Sequence, residues 1–240
     1  MEQLKLANQY KIILQKFAQG LKDIYPEGLL SLILYGSSVS GEFVDKHSNL
    51  NLLVVLKNTD LEVIKKSSKL IHKFKMINAL FLNEDYIANS TDIFPIEFLD
   101  MRENYFVLYG KDVLKDIQID IRNLQFQCEQ ELKAKLLKLR QAYLLLNTNT
   151  PALRSLLFMS FTSILHILRN VLRIKGKKPP YLKDEVLKEL VLEFKIDIDV
   201  WEKILSAKNK KSKLTRKEIE QLFVSFVREL EMIVTIVDKL

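Results

Sequence analysis

Two short apolar runs, Leu29-Leu30-Ser31-Leu32-Ile33-Leu34-Tyr35 and Leu50-Asn51-Leu52-Leu53-Val54-Val55-Leu56, constrain the fold of this chain more than any other feature. Each is too short for an ordinary globular helix and is bounded by turn residues, the pattern of a strand buried on both faces. The first run ends at Gly36-Ser37-Ser38, and small and polar residues lead from there to the second. A helical stretch opened by Asp60 and running to about Lys75 follows the second run. Ile77 to Leu82 is expected as a third strand. Ile93 to Leu99 is expected as a fourth, with Pro95 confining it to an edge or to a strand start. Tyr105 to Tyr109 adds a short fifth. Ahead of all of these, Leu6, Ile12, Ile13, Leu14, Phe17 and Leu21 recur at helical spacing between Leu4 and Leu21, and Tyr25-Pro26-Glu27-Gly28 stops that helix.

From about Asp112 the apolar period becomes helical and remains so. A long helix is expected to Leu146, closed by Asn147-Thr148-Asn149-Thr150-Pro151. Thr150 then suits an N-cap and Pro151 the first helical position, where a missing amide hydrogen costs nothing. The helix running on to about Ile174 is apolar nearly all round (Leu156, Leu157, Phe158, Phe161, Ile164, Leu165, Leu168), so it needs neighbours on several sides. Further helices are expected near Lys183–Phe194 and Val200–Ala207, and Thr215-Arg216-Lys217-Glu218 reads as a capping box opening the last one. The fold class is therefore α+β: a small mixed-sheet domain over residues 1–110 followed by an all-α helical bundle over 111–240. The biased stretch Lys208-Asn209-Lys210-Lys211-Ser212-Lys213 is expected as an exposed loop.

With 48% apolar residues, 6 Gly and 5 Pro in 240, the chain is neither collagen-like nor disordered. MEQLKLANQY carries no basic segment followed by an apolar stretch, so a secretory signal or membrane anchor is not expected. The uncharged run Ser155 to Leu168, bounded by Arg154 and Arg169, is shorter than the roughly 20 residues that cross a bilayer. The lone Cys128 has neither a disulfide partner nor a companion for a thiolate zinc site, which favours the cytoplasm. The net charge of +7 is uneven: residues 1–110 hold 12 Lys and Arg against 13 Asp and Glu, and residues 111–240 hold 25 against 17. A half carrying +8 attracts polyanions such as nucleic acid, although a solvated helical surface is the commoner origin of such charge.

Leu34-Tyr35-Gly36-Ser37-Ser38-Val39-Ser40-Gly41-Glu42-Phe43, followed by Ser48-Asn49-Leu50-Asn51-Leu52-Leu53-Val54-Val55, resembles the signature of the DNA polymerase beta-like nucleotidyltransferases. In that family a strand ends in Gly-Ser at the start of a short helix, and a second strand begins with Ser-Asp-x-Asp. Here both aspartate positions hold asparagine. The resemblance covers residues 25–110, and the helical remainder is similar in plan to the bundle of kanamycin nucleotidyltransferase-like proteins. It implies that Gly36, Ser37, Ser38 and Ser48 bind a nucleoside triphosphate, and that Asn49 and Asn51 occupy the positions of two magnesium ligands. A third acid on another strand completes the family's site, and Glu97 is the position matched to it, with Asp92, Asp100 and Glu103 close by.

The chemistry explains why these parts recur together. Backbone amides after a glycine hold phosphate oxygens, and carboxylates two residues apart on a strand share a face and can hold a pair of magnesium ions roughly 4 Å apart. Asparagine keeps the shape of aspartate without its charge, so metal affinity falls sharply and no magnesium is expected to be held unless the protein is active. Losing even one preorganised electrostatic group commonly costs on the order of 100- to 1,000-fold in rate. Asp45, in the loop before the second strand, is a candidate to compensate in part.

Three functions follow. The first is a pseudoenzyme of nucleotidyltransferase fold that binds a nucleotide or a protein partner; the second is a working magnesium-dependent transferase acting on a small-molecule or protein hydroxyl; the third is a nucleic-acid-binding protein using the basic bundle. Self-association through leftover apolar bundle surface is a further partner reading. Bland readings stand beside these: Asn49 and Asn51 as polar residues at a strand start, Glu97 as a solvated edge acid, and Ser37 and Ser38 as caps of the short helix. Arg169-Asn170 with Lys175 loosely resembles the Arg-x-x-x-x-x-His signature of HEPN ribonucleases, with lysine in place of histidine. His166 and Trp201 are expected in the core, His47 and His72 lack companions at ligand spacing, and Lys175, Lys177, Lys178 and Lys183, with Tyr181 among them, are candidate phosphate contacts.

Overall fold

The computed structural model describes residues 4–41, 43, 45, 48–180, 182–194, 196–209 and 214–240. Glu42, His47, Tyr181 and residues 210–213, all singled out above, lie outside the described residues. The chain divides into two compact units, Met1–Ile119 and Asp120–Leu240. The first unit extends beyond residue 110 because Val113, Leu114, Ile117 and Ile119 pack on its sheet.

The first unit runs α1 (Asn8–Ile24), β1 (Leu29–Tyr35), α2 (Ser37–Ser40), β2 (Leu50–Leu56), α3 (Leu61–Lys65), α4 (Ser68–Lys73), β3 (Ile77–Leu82), α5 (Glu84–Ala88), α6 (Pro95–Glu103) and β4 (Tyr105–Gly110). The four strands lie in the order β3-β2-β1-β4. β1 is antiparallel to both β2 and β4, whereas β2 and β3 are parallel, so the sheet is mixed. The two apolar runs are its central strands, and Leu32, Ile33, Leu34, Leu52, Leu53, Val54 and Val55 are fully buried. One face, with Leu32, Leu34, Leu52 and Val54, packs against Tyr10, Leu14, Phe17 and Leu21 of α1. The other, with Ile33, Leu53 and Val55, packs against Ile87, Phe98, Met101 and Leu114. At roughly 2 kcal/mol per buried leucine-sized side chain, this two-sided burial outweighs the weak local preferences of such short strands.

The strand expected over Ile93–Leu99 is a helix instead. Pro95 stands in the first turn of α6, where its fixed φ suits helix and its absent N–H is not missed. Ile96, Phe98 and Met101 are buried while Glu97 is exposed. The expected helix from Asp60 to Lys75 is broken into α3 and α4. Asp60 occupies the N-cap position of α3 without a side-chain cap bond, its carboxylate accepting from Asn58 Nδ2 at 2.9 Å.

The second unit comprises α7 (Ile121–Leu146), α8 (Thr150–Ile174), α9 (Lys183–Phe194), α10 (Ile198–Lys208) and α11 (Arg216–Val237). The long helix starts at Ile121 rather than near Asp112, because Asp120 accepts from the Arg122 amide and caps it. Asn149, not Thr150, caps α8. α8 meets α7, α9, α10 and α11, which answers the apolar character of nearly its whole circumference. It is the one described helix long and apolar enough to cross a membrane, and more than half of its apolar window is buried inside the protein. Fully buried Trp201 lies 5.8 Å from Phe161 and 5.1 Å from Phe226, ring centre to ring centre. The Thr215–Glu218 capping box is formed. His166, expected in the core, is exposed, since it falls on the solvent side of α8. Arg169 and Asn170 are buried for structural reasons: Arg169 Nε donates to Pro180 O at 2.9 Å, and Asn170 Nδ2 donates to His166 O at 3.1 Å.

Candidate functional site

The signature residues meet at one end of β1 and β2. Gly36 leaves β1 with φ 79° and ψ −145°, a conformation that side-chain-bearing residues avoid. Its N–H donates to Asn104 O at 2.9 Å and its carbonyl accepts from Val39 and Ser40, so the turn is held by backbone on both sides. A Cβ at Gly36 would sit 3.4 Å from Nδ2 of Asn51, which places the Asn51 amide directly against this turn. Ser38 is buried and its hydroxyl donates to Tyr35 O at 3.2 Å. The capping role considered for Ser37 and Ser38 is not the observed one, because Gly36 takes the N-cap position and α2 has no side-chain cap. Ser48 and Asn49 lie just ahead of β2, Ser48 half-buried and Asn49 exposed.

Asn51 belongs to a row that crosses all four strands on one face. Its antiparallel partner is Tyr35, which pairs in turn with Tyr105 of β4, and its parallel partner is Asn78 of β3. Asn78 Nδ2 donates to Asn51 Oδ1 at 3.2 Å. The position on another strand beside the signature strand is therefore held by a third asparagine. Alignment of the strand starts, Leu50 with Ile77, would have exposed it, but only the parallel register makes that alignment meaningful.

Glu97 is placed differently from expectation. It stands in the first turn of α6, a helix that packs Phe98 and Met101 on the same sheet face, rather than on a strand. Asp45 is engaged by the hydroxyl of Tyr10 on α1, and that hydrogen bond, reinforced by burial, pushes the Tyr10 phenol above its ordinary value. Burial raises Tyr35 as well. Tyr105 is pushed up to about 12, by burial first and then by its 2.9 Å hydrogen bond to Asp112. The row thus presents two amides and two neutral phenols. A cleft of about 600 Å³ elsewhere in this unit is lined by Glu84, Ile87, Thr91, Lys111, Asp112 and Asp116, among others, and by none of the residues anticipated from sequence.

Magnesium takes near-octahedral oxygen coordination through carboxylates and phosphates. Among the described residues no group of three or more His, Cys, Asp or Glu is arranged to hold a metal ion. Asn49, Asn51 and Asn78 offer neutral carbonyl oxygens, and that of Asn51 is already accepting a hydrogen bond. The donor set does not fit the ion.

No family model matches the chain, and no curated protein matches it. Among solved structures it is similar to the spectinomycin adenyltransferase AAD(9) from Enterococcus faecialis, determined with ATP and spectinomycin. That similarity has a TM-score of 0.61 at 13% identity, covering 92% of this chain and 99% of the other. With a mixed four-stranded sheet, a glycine turn into a short helix and C-terminal helices, the chain has the α+β fold of the nucleotidyltransferases, of the kanamycin nucleotidyltransferase-like type.

Proposed function

We propose that this protein is a nucleotidyltransferase-fold pseudoenzyme: it binds a nucleotide at the Gly36 turn and transfers nothing, or transfers very slowly. The observation that carries the reading is the presence of amides at Asn49 and Asn51, where the resemblance implies acids, and at Asn78, which pairs with Asn51 across the sheet. Phosphoryl transfer needs charge neutralisation at the phosphates and alignment of the attacking hydroxyl, and a metal pair held by carboxylates supplies both. Amides supply neither at comparable strength. Gly36, Ser37, Ser38 and Ser48 remain as nucleotide contacts; Val39 and Ser40 donate to Gly36 O, so at the start of α2 it is the Ser37 and Ser38 amides that fall outside the intrahelical pattern. Glu97 is the remaining acid of the candidate set.

ATP in the AAD(9) structure supports the choice of a nucleotide as ligand. A buried, unbridged Cys128 is compatible with a reducing cytoplasm. Purified protein incubated with magnesium or manganese and each labelled nucleoside triphosphate should show neither transfer nor pyrophosphate release. Turnover that is lost in Glu97→Gln would establish an active transferase instead.

A further inference from the structure

We propose that the amide row takes its nucleotide without a divalent cation, and that the ligand is a nucleoside monophosphate rather than a metal–triphosphate chelate. This rests on the reading above and names the ligand form of the same site.

The direction of the amides is the first argument. Asn51 Oδ1 accepts from Asn78 Nδ2, and Asn51 Nδ2 lies against the Gly36 turn. An N–H donor therefore faces the place where a cation-binding site would present oxygen. Amide N–H groups pair with phosphate or carbonyl oxygens and repel cations.

Charge is the second argument. A triphosphate carries about four negative charges that its metal ordinarily offsets. Here residues 1–110 hold 12 Lys and Arg against 13 Asp and Glu, so the unit has no surplus of positive charge to substitute for the ion. Lys111 is paired with Glu84 at 2.9 Å, and Arg102 Nη1 donates to Ile117 O at 2.5 Å. Neutral donors and a neutral phenol at Tyr35 suit a ligand with one phosphate, whose repulsion from the unit is least.

Calorimetric titration with adenosine, guanosine, cytidine and uridine monophosphates and triphosphates, each in EDTA and in magnesium, tests this. The proposal expects a monophosphate to bind at least as tightly as its triphosphate, with affinity unchanged within about threefold between the two conditions. The side-chain amide resonances of Asn51 and Asn78 in a ¹⁵N–¹H spectrum should shift with that ligand in EDTA. In N51D/N78D, or in the milder N51D, magnesium should strengthen triphosphate binding by at least about tenfold. Wild-type binding that is strong only as the magnesium triphosphate overturns the inference and leaves the inactive-enzyme reading standing. No binding by any of the eight nucleotides overturns both the inference and the nucleotide half of that reading.

Discussion

Introducing carboxylates into the row should destabilise the metal-free protein in a pH-dependent way. Asn51 and Asn78 approach to 3.2 Å between Oδ1 and Nδ2, and N51D/N78D turns that hydrogen bond into two like charges about 4 Å apart. At that separation repulsion runs from about 1 kcal/mol in bulk water to about 4 kcal/mol at the effective dielectric near a protein surface. Asn78 is exposed and Asn51 half-buried, so about 2 kcal/mol is the appropriate figure, to which loss of the amide hydrogen bond adds on the order of 1 kcal/mol. Repulsion raises one carboxyl above its unfolded value. Stability is consequently kept at acid pH, where that group is protonated, and declines as pH rises from about 4 through the raised value. At roughly 4 °C per kcal/mol, the melting temperature at neutral pH in EDTA should fall by about 10 °C relative to wild type and recover on acidification or on adding magnesium. Calorimetric melts at several pH values, with and without magnesium, provide the check. A variant that melts like wild type at neutral pH in EDTA, or whose melting is indifferent to acid, would refute the placement of the two side chains beside each other.

Other expectations concern the frame around the site. A Cβ at Gly110 would lie 2.0 Å from Leu30 O with φ at 77°, whereas one at Gly41, φ 89°, meets nothing within 4 Å. Gly110→Ala should therefore cost roughly 2 kcal/mol more in denaturant unfolding than Gly41→Ala, whose cost of about 1–2 kcal/mol reflects the left-handed backbone alone. Thr215→Ala, which removes the capping box of α11, should cost about 1 kcal/mol by the same measurement. In a spectrophotometric titration of phenolate absorbance, Asp112→Asn should bring Tyr105 part of the way back from about 12, since burial, the larger cause, remains. Full return to the ordinary value would make the hydrogen bond dominant. RNA binding by the basic half, if measured, should weaken steeply with salt because counterion release drives such association, and a salt-insensitive interaction would rule that mode out.

The central strands were legible because runs such as Leu29–Tyr35 and Leu50–Leu56 are short, rich in apolar residues on both faces and bounded by turn residues, as a doubly covered strand requires. The bundle was legible for the complementary reason, and Lys183–Phe194 and the Thr215 cap stand where helical periodicity and the capping box put them. Ile93–Leu99 reads as a strand from sequence because Ile-Phe-Pro-Ile-Glu-Phe-Leu is a short, almost continuously apolar run, and over seven residues such a run does not distinguish a buried strand from a buried helical turn begun by proline. That reading put Glu97 on a strand, as the resemblance implies, whereas it stands in the first turn of α6. Asn78 was missed for a different reason. Nothing local marks an asparagine near the start of a strand, and its meaning comes wholly from a parallel register with β2 that spans more than twenty residues of chain.

Manganese provides the most direct test, because it takes the same oxygen ligands as magnesium and scatters anomalously. Crystals grown with manganese and a nucleoside triphosphate should show no anomalous peak among residues 49, 51 and 78 of the wild type and a clear one in N49D/N51D/N78D. A manganese ion coordinated by Asn49, Asn51 and Asn78 in the unmodified protein would contradict the account at its root.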